Sequence, residues 1–360
     1  MKKLCIVPFT DKEYPLVLPL TEKYEITAIA PRGIIKQGTD IAYLKNRPPM
    51  HIIAHQYSKQ AIINSDIVLI SDVSQYDSAL LSMAQEALSV ALTSDKEIWC
   101  FLDQSLVSPS QRRSIHHAKK QPICPNSINL EGTAGKLRKI PIPVVIVYEL
   151  LPKCDGYDIL LKLTNELMKA GKRVSTVSED AYNSIFSQYT AKFWQENYSS
   201  EALVLRLNKM FSDLIARDNS EILLVKLPLP IMKYDDEHPF DAGLTSYLVS
   251  QSLPDSMAIC CSYLGTPLSG FWDSVCDNMR AKFGMETIGV HVSNQIIDQA
   301  DLQEISKLFV SPTRVHGEIE MLNKQNNVSF YNMLSDSDFY EFFTMLYNEL
   351  FIYENGVVDV

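Results

Sequence analysis

Residues 142–177 read IPVVIVYELLPKCDGYDILLKLTNELMKAGKRVSTV, and this stretch decides the fold. Positions 144–148 are an apolar, β-branched run bounded by Pro143 and Pro152, the pattern of a strand buried on both faces. A turn holding Pro152 and Gly156 follows. The spacing then predicts a helix over 158–170, with Leu160, Leu161, Leu163, Leu167 and Met168 on one face and Lys162, Asn165, Glu166 and Lys169 on the other. Gly171 supplies the left-handed residue that commonly ends a helix, and a second strand opens at Lys172.

Strand, tight turn and helix form the layout of a phosphate-binding βα unit, because a helix start presents free N–H groups and positive potential. The consensus G-x-x-x-x-G-K-[ST] is not met. With Glu149 at the first glycine, Cys154, Asp155 and Gly156 stand where glycine, lysine and the hydroxyl residue belong. An acid in the lysine position repels a triphosphate. The scaffold of a nucleotide site is there without its chemistry.

The same grammar extends outward. Strands are predicted over 3–8, 24–30, 66–71 and 97–102, with helices over 57–64 and 78–92. Beyond residue 177, helices are expected over 202–216, 268–283 and 335–353, and strands over 221–227, 257–263 and 287–292. Alternation at this spacing predicts α/β architecture in two domains, each a mainly parallel sheet flanked by helices. The first, over 1–138, reads as Rossmann- or flavodoxin-like. The second, over 139–330, reads as P-loop-like without the loop lysine, and 331–360 as a C-terminal helix.

A chain of 360 residues suits two domains, and 46% hydrophobic with 21% charged residues is ordinary for a globular protein. The net charge of −10 argues against a nucleic-acid partner. Seven cysteines, an odd number with no CxxC pair, read as reduced thiols. MKKLCIVPF reads as a first strand and not as a signal peptide, and no apolar run reaches the length of a membrane span. A cytoplasmic protein with no membrane partner is expected.

Several segments together resemble a family known as peptide maturation system proteins, encoded beside natural-product peptide clusters of clostridia-like anaerobes. They are CIVPFTDKEYPLVLPL (5–20), YEITAIAPRG (24–33), CDGYDILLKLTNELMKAGKRVSTVSED (154–180), SEILLVKLPLPIMKYDDEHPFDAG (220–243) and FWDSVCDNMRAKFGMETIGVHVSN (271–294). The resemblance spans essentially the whole chain. It implies a Rossmann-like domain followed by a P-loop-like one, and a part in making modified peptides.

Candidate chemistry gathers at the strand end after 148, where open α/β sheets bind ligands. Glu149, Lys153, Asp155 and Gly156 are the candidate ligand-binding residues, and Cys154 is the candidate nucleophile of an acyl transferase. The plainer alternative is a tight turn in which Asp155 caps the helix. Arg32 and Gly33, after the second strand, form a candidate carboxylate or phosphate clamp or, equally, an ordinary turn. Asp235, Asp236, Glu237 and Asp241 lack the spacing of a calcium loop and read as a solvated acidic loop, where His238 adds a candidate base. No metal site is expected. His116 and His117, among Arg112, Arg113, Lys119 and Lys120, read as a solvated helix face, with a basic surface for an acidic peptide or a carrier phosphate as the alternative. Tyr189, Phe193, Trp194 and Tyr198 are read as core or as a peptide groove.

The function expected is an accessory protein of peptide natural-product maturation. It binds a precursor peptide, carrier protein or partner enzyme in the cleft between its domains, and a homodimer is compatible with it. The alternative is an enzyme of that pathway, a nucleotide-dependent ligase or transferase or a Cys154-dependent acyl transferase. The sequence assigns no cofactor.

Overall fold

In the computed structural model the described residues are 1–45, 47, 49–73, 78–116, 127–128, 130, 135–186, 188–194, 198–233, 243–265, 270–298 and 306–353. The chain divides into two compact units, one of residues 1–126 with 181–187 and one of residues 127–180 with 188–360.

The first unit holds β1 (Lys2–Val7), α1 (Tyr14–Thr21), β2 (Tyr24–Ile29), β3 (Ala54–His55), α2 (Lys59–Ile63), β4 (Ile67–Ile70), α3 (Ser78–Thr93), β5 (Glu97–Cys100) and α4 (Pro109–His116). Among the described residues its strands form one parallel sheet in the order β3-β2-β1-β4-β5. Leu4 to Val7 and Ile67 to Ile70 are fully buried, as parallel strands covered on both faces must be. Ala84, Ala87, Leu88 and Ala91 of α3 pack on that sheet.

The second unit begins with β6 (Ser127–Ile128), β7 (Val144–Glu149), α5 (Gly156–Lys169), β8 (Val174–Ser178), β9 (Tyr189–Ala191), α6 (Ser200–Asp218), β10 (Ile222–Lys226) and α7 (Leu244–Gln251). It continues with β11 (Ser256–Ser262), α8 (Phe271–Asn278), β12 (Met285–Val292), β13 (Gln295–Asp298), β14 (Ser306–Phe309), α9 (Pro312–Gln325), β15 (Phe330–Tyr331) and α10 (Asp336–Asn348). Its main sheet runs β15-β12-β11-β7-β10-β8-β9-β6, parallel throughout, while β13 and β14 form a separate antiparallel hairpin. Leu130 packs in this unit's core, and Arg138 donates from its backbone N–H to Asn208 and from its guanidinium to Asp213, so the chain ahead of β7 is held to the second unit. Residues 331–353 pack there as well.

The stretch 142–177 folds as its pattern dictates. β7 is buried from Val145 to Tyr148, α5 follows directly, and Gly171 takes φ +81° at the helix end. Met168 departs from the expected apolar face and is 53% exposed, whereas Ile159 is fully buried. Lys162, on the face expected to be polar, is drawn against α10. Lys162 Nζ donates to Asp336 at 2.9 Å and sits 4.4 Å from the Phe339 ring centre. The helix expected over 268–283 is α8 followed by a wider π turn, Met279–Phe283, which closes at Gly284 with φ +68°.

Among the described residues, connections diverge between β1 and β4 in the first main sheet and between β7 and β11 in the second. Such crests are where open α/β sheets bind their ligands.

Candidate functional site

At the crest of the second sheet, β7 ends on Glu149 and the chain turns through 150–155 into α5. Lys153 and Asp155 adopt left-handed φ values of 63° and 65°, and alternation of this kind points successive N–H groups into one concavity, an anion nest. That nest is filled from within. Glu149 Oε1 accepts the Gly156 N–H at 2.9 Å, and Glu149 Oε2 accepts the Lys153 N–H at 3.3 Å. The carboxylate lies where a bound phosphate would lie. Glycine at 156 permits this, because a Cβ there would stand 2.9 Å from Glu149 Cγ and 3.0 Å from Glu149 Oε1.

The rest of the turn is clamped. The Tyr263 hydroxyl donates to the Pro152 carbonyl and lies 3.2 Å from that of Lys153, and burial pushes the phenol well above its ordinary value, so it stays a donor. Cys154 is fully buried and its thiol donates to the Leu151 carbonyl at 3.0 Å. Burial on this scale leaves the Cys154 sulfur with no solvent-facing surface. Burial likewise raises the neighbouring Cys261 thiol, followed by the Glu149 charge, so that it stays protonated. Cys260 and Cys261 are both interior, as adjacent residues of a buried strand are.

Asp155 does not cap α5 through its side chain, although it occupies the N-cap position. Its buried carboxylate faces the end of β12 instead. Asp155 Oδ2 accepts from the Ser293 hydroxyl at 2.5 Å, and Asp155 Oδ1 from the Gln295 amide at 3.2 Å. His291 Nε2 lies 3.5 Å from Asp155 Oδ2. His291 Nδ1 accepts the Met333 N–H at 3.1 Å, which leaves the ring proton on Nε2, towards the acid. The residue in the lysine position is therefore engaged by partners from β12 and the start of β13.

Beside β7, β10 ends on Lys226, whose side chain is 13% exposed and whose Nζ lies 3.6 Å from Asp180 Oδ2. Burial works against the ammonium, but the carboxylates of Asp180, Glu149 and Glu179 outweigh it and hold Lys226 above the ordinary lysine value. Phosphoryl-transfer sites of this layout carry a lysine in the loop and an acid nearby for magnesium. Here Asp155 stands in the lysine position, next but one to Lys153, and the neighbouring strand end carries a second lysine, Lys226.

Next to Lys226 a pocket of about 400 Å³ opens, lined by Glu179, Trp194, Pro228, Leu229, Leu244 and Thr245. Its wall is pinned where the Ser246 hydroxyl donates to the Leu229 carbonyl at 2.6 Å, and where Ile231 and Met232 donate to the Glu149 and Leu150 carbonyls. The aromatic cluster expected here disperses. Phe193 is core against Phe211, Tyr198 lies under Arg206, Tyr189 lies under Arg217, and Trp194 is 44% exposed at the pocket.

Of the remaining candidates, Arg32 and Gly33 belong to the first unit, in an exposed turn closed by the Ile34 N–H and the Pro31 carbonyl. Arg112 donates to the Val107 carbonyl at 3.1 Å and lines a depression of about 590 Å³ with Gln85 and Ser108. His117, Lys119, Lys120, Asp235, Asp236, Glu237, His238 and Asp241 lie outside the described residues. Among the described residues no three His, Cys, Asp or Glu side chains gather as a metal site, and no helix is long and apolar enough to cross a membrane.

The first unit's crest is also filled by a carboxyl group. Glu13 is buried, accepts from the Thr10 N–H at 2.8 Å and the Thr10 hydroxyl at 2.7 Å, and receives the Tyr182 hydroxyl. Tyr182 in turn accepts the Asp72 N–H at 3.0 Å and packs edge-on against Phe101. Burial raises the Glu13 carboxyl, partly offset by these hydrogen bonds.

Glu13, Tyr182, Lys226, Tyr263, His291, Ser293 and Gln295 were not among the residues the sequence singled out. Lys226 alone carried a readable signal, a cation ending the apolar run EILLVK.

No protein-family model and no curated protein matches the chain. Among solved structures it is similar to a DUF1611 family protein from Anabaena variabilis, with a TM-score of 0.57 at 8% identity over 96% of this chain and 100% of that one. Weaker likenesses include a cobyrinic acid a,c-diamide synthase from Mycobacterium smegmatis with bound ADP and magnesium (TM-score 0.35, 11% identity, 58% of this chain and 95% of that one). Another is the MinD cell division protein of Aquifex aeolicus (TM-score 0.31, 13% identity, 56% of this chain and 86% of that one). The likeness to the first of these is one of fold alone: two parallel sheets flanked by helices.

Proposed function

We propose that this chain is an accessory binding protein of peptide natural-product maturation, which recognises a precursor peptide, or a carrier or enzyme bearing one, and leaves its phosphate loop out of nucleotide chemistry. What supports the second half is a single observation. The Glu149 carboxylate occupies the nest, bonded to the Gly156 and Lys153 N–H groups, so a phosphate entering it would displace a tethered anion and meet Asp155 in place of a lysine. The buried Cys154 weighs against the acyl-transferase alternative for the same crest. The first half rests on the resemblance of the segments quoted above to peptide maturation proteins.

The test is calorimetry on the purified full chain with magnesium ATP, magnesium GTP and synthetic precursor peptides encoded beside its gene. Saturable heat with a peptide and none with either nucleotide is expected. Saturable nucleotide binding accompanied by phosphate release would refute the reading.

A further inference from the structure

The pocket beside Lys226 has walls of two kinds. Among the described residues Trp194, Pro228, Leu229 and Leu244 make it apolar, while Glu179 adds a carboxylate. Trp194 and Leu244 are 44% and 49% exposed, so both present surface to an incoming group. The two acids at the end of β8 are engaged differently. Asp180 meets the Lys226 ammonium and accepts the Ser178 hydroxyl at 2.9 Å, whereas Glu179 accepts the Phe193 N–H at 2.8 Å and lines the pocket. Burial of its inner side raises the Glu179 carboxyl, although the residue's outer edge is exposed.

A group that satisfies these walls has an apolar stem and a cationic end. The stem lies along proline and leucine, and the cation meets the tryptophan face and the carboxylate. Glu179 repels an anionic end, and a ligand cation meets this carboxylate in competition with Lys226 and Lys192, whose charges already act on it.

We infer that this pocket is a specificity site for a basic residue, lysine or arginine, of a bound peptide. The inference deepens the peptide-binding reading above and rests on it. Trp194 reports on the site, since Trp99 and Trp272 are only 3% and 4% exposed. The probes are acetyl-Ala-Lys-Ala-amide and its norleucine and glutamate counterparts, titrated into the full chain while tryptophan fluorescence is read. The lysine peptide is expected to saturate with a dissociation constant below about 1 mM, and norleucine to bind at least about tenfold more weakly. Glu179→Gln is expected to bring lysine down to the norleucine level, with Glu179→Asp intermediate. Thermal unfolding of both variants checks that they are folded, and Glu179→Asp carries the comparison if Glu179→Gln is not. Equal binding of lysine and norleucine, tighter binding of glutamate, or no binding of any probe would overturn the inference. Failure here alongside calorimetric binding of whole precursor peptides would leave the functional reading standing, whereas nucleotide binding would remove that reading itself.

Discussion

Substituting Gly156 by alanine tests the filled nest from an unusual direction. Gly156 has no left-handed φ, so alanine can take its backbone conformation, and in the first turn of a helix that exchange normally stabilises by up to about 1 kcal/mol. In this chain the new Cβ would stand 2.9 Å from Glu149 Cγ and 3.1 Å from Glu149 Cδ, so the carboxylate has to leave. Leaving breaks the 2.9 Å bond from the Gly156 N–H and the weaker 3.3 Å bond from Lys153. Bonds to a charged acceptor contribute about 1.5–3 kcal/mol each, with the longer one near or below the bottom of that range. Set against the helix gain, Gly156→Ala is expected to destabilise the second unit by about 1–2 kcal/mol. In a Glu149→Ala background the obstacle is gone and the same substitution is expected to be neutral or stabilising, giving a coupling of about 2 kcal/mol. Urea unfolding followed by fluorescence in a Trp99→Phe background reads this, because Trp194 and Trp272 both belong to the second unit. Additive effects within about 0.5 kcal/mol would refute the seating of Glu149 in the nest.

Other expectations follow from buried groups. Tyr182→Phe removes a hydroxyl that donates to Glu13 and accepts from Asp72, and is expected to cost the first unit about 1–3 kcal/mol in urea, read by Trp99 fluorescence. Because burial raises the Glu13 carboxyl in the folded state, its contribution is present below the unfolded value and is lost as pH rises through the folded one. Stability of the first unit is therefore expected to fall with rising pH in that window, and Glu13→Gln to remove the fall; an unchanged slope would contradict it. Lys226→Met strips the cation from Asp180 and is expected to destabilise by about 3 kcal/mol, seen as a lowered urea midpoint; a midpoint matching wild type would count against the pairing. Iodoacetamide in native buffer is expected to label Cys154 no faster than Cys261, since both are fully buried, and peptide mass spectrometry would expose rapid labelling of Cys154 as a contradiction.

What the sequence made legible was local. β7 announces itself by prolines on either side of an apolar run, α5 by its leucine spacing, and its end by Gly171, all within one stretch. α9 is marked at its start, where Ser311 caps it and Pro312 opens it, but TRVHGEIE has a weak apolar period. α1 is masked by Pro19, which sits inside the helix and reads as a breaker. The state of the crest was not legible at all. An acid at 149 and another at 155 showed that phosphate chemistry was missing, but the sequence did not show that one carboxylate turns back into the nest. Nor did it show that the other is met by Ser293, Gln295 and His291, residues more than a hundred positions away. Such pairings exist only once β7, β11 and β12 lie side by side.

The measurement that bears most directly on the filled nest is titration of magnesium ATP and magnesium GTP into the wild-type chain and into Glu149→Ala. No saturable heat is expected from wild type up to about 1 mM of either nucleotide. Wild-type binding tighter than that, competed by inorganic pyrophosphate and weakened when the Gly156 region is altered, would show an open loop and contradict the account.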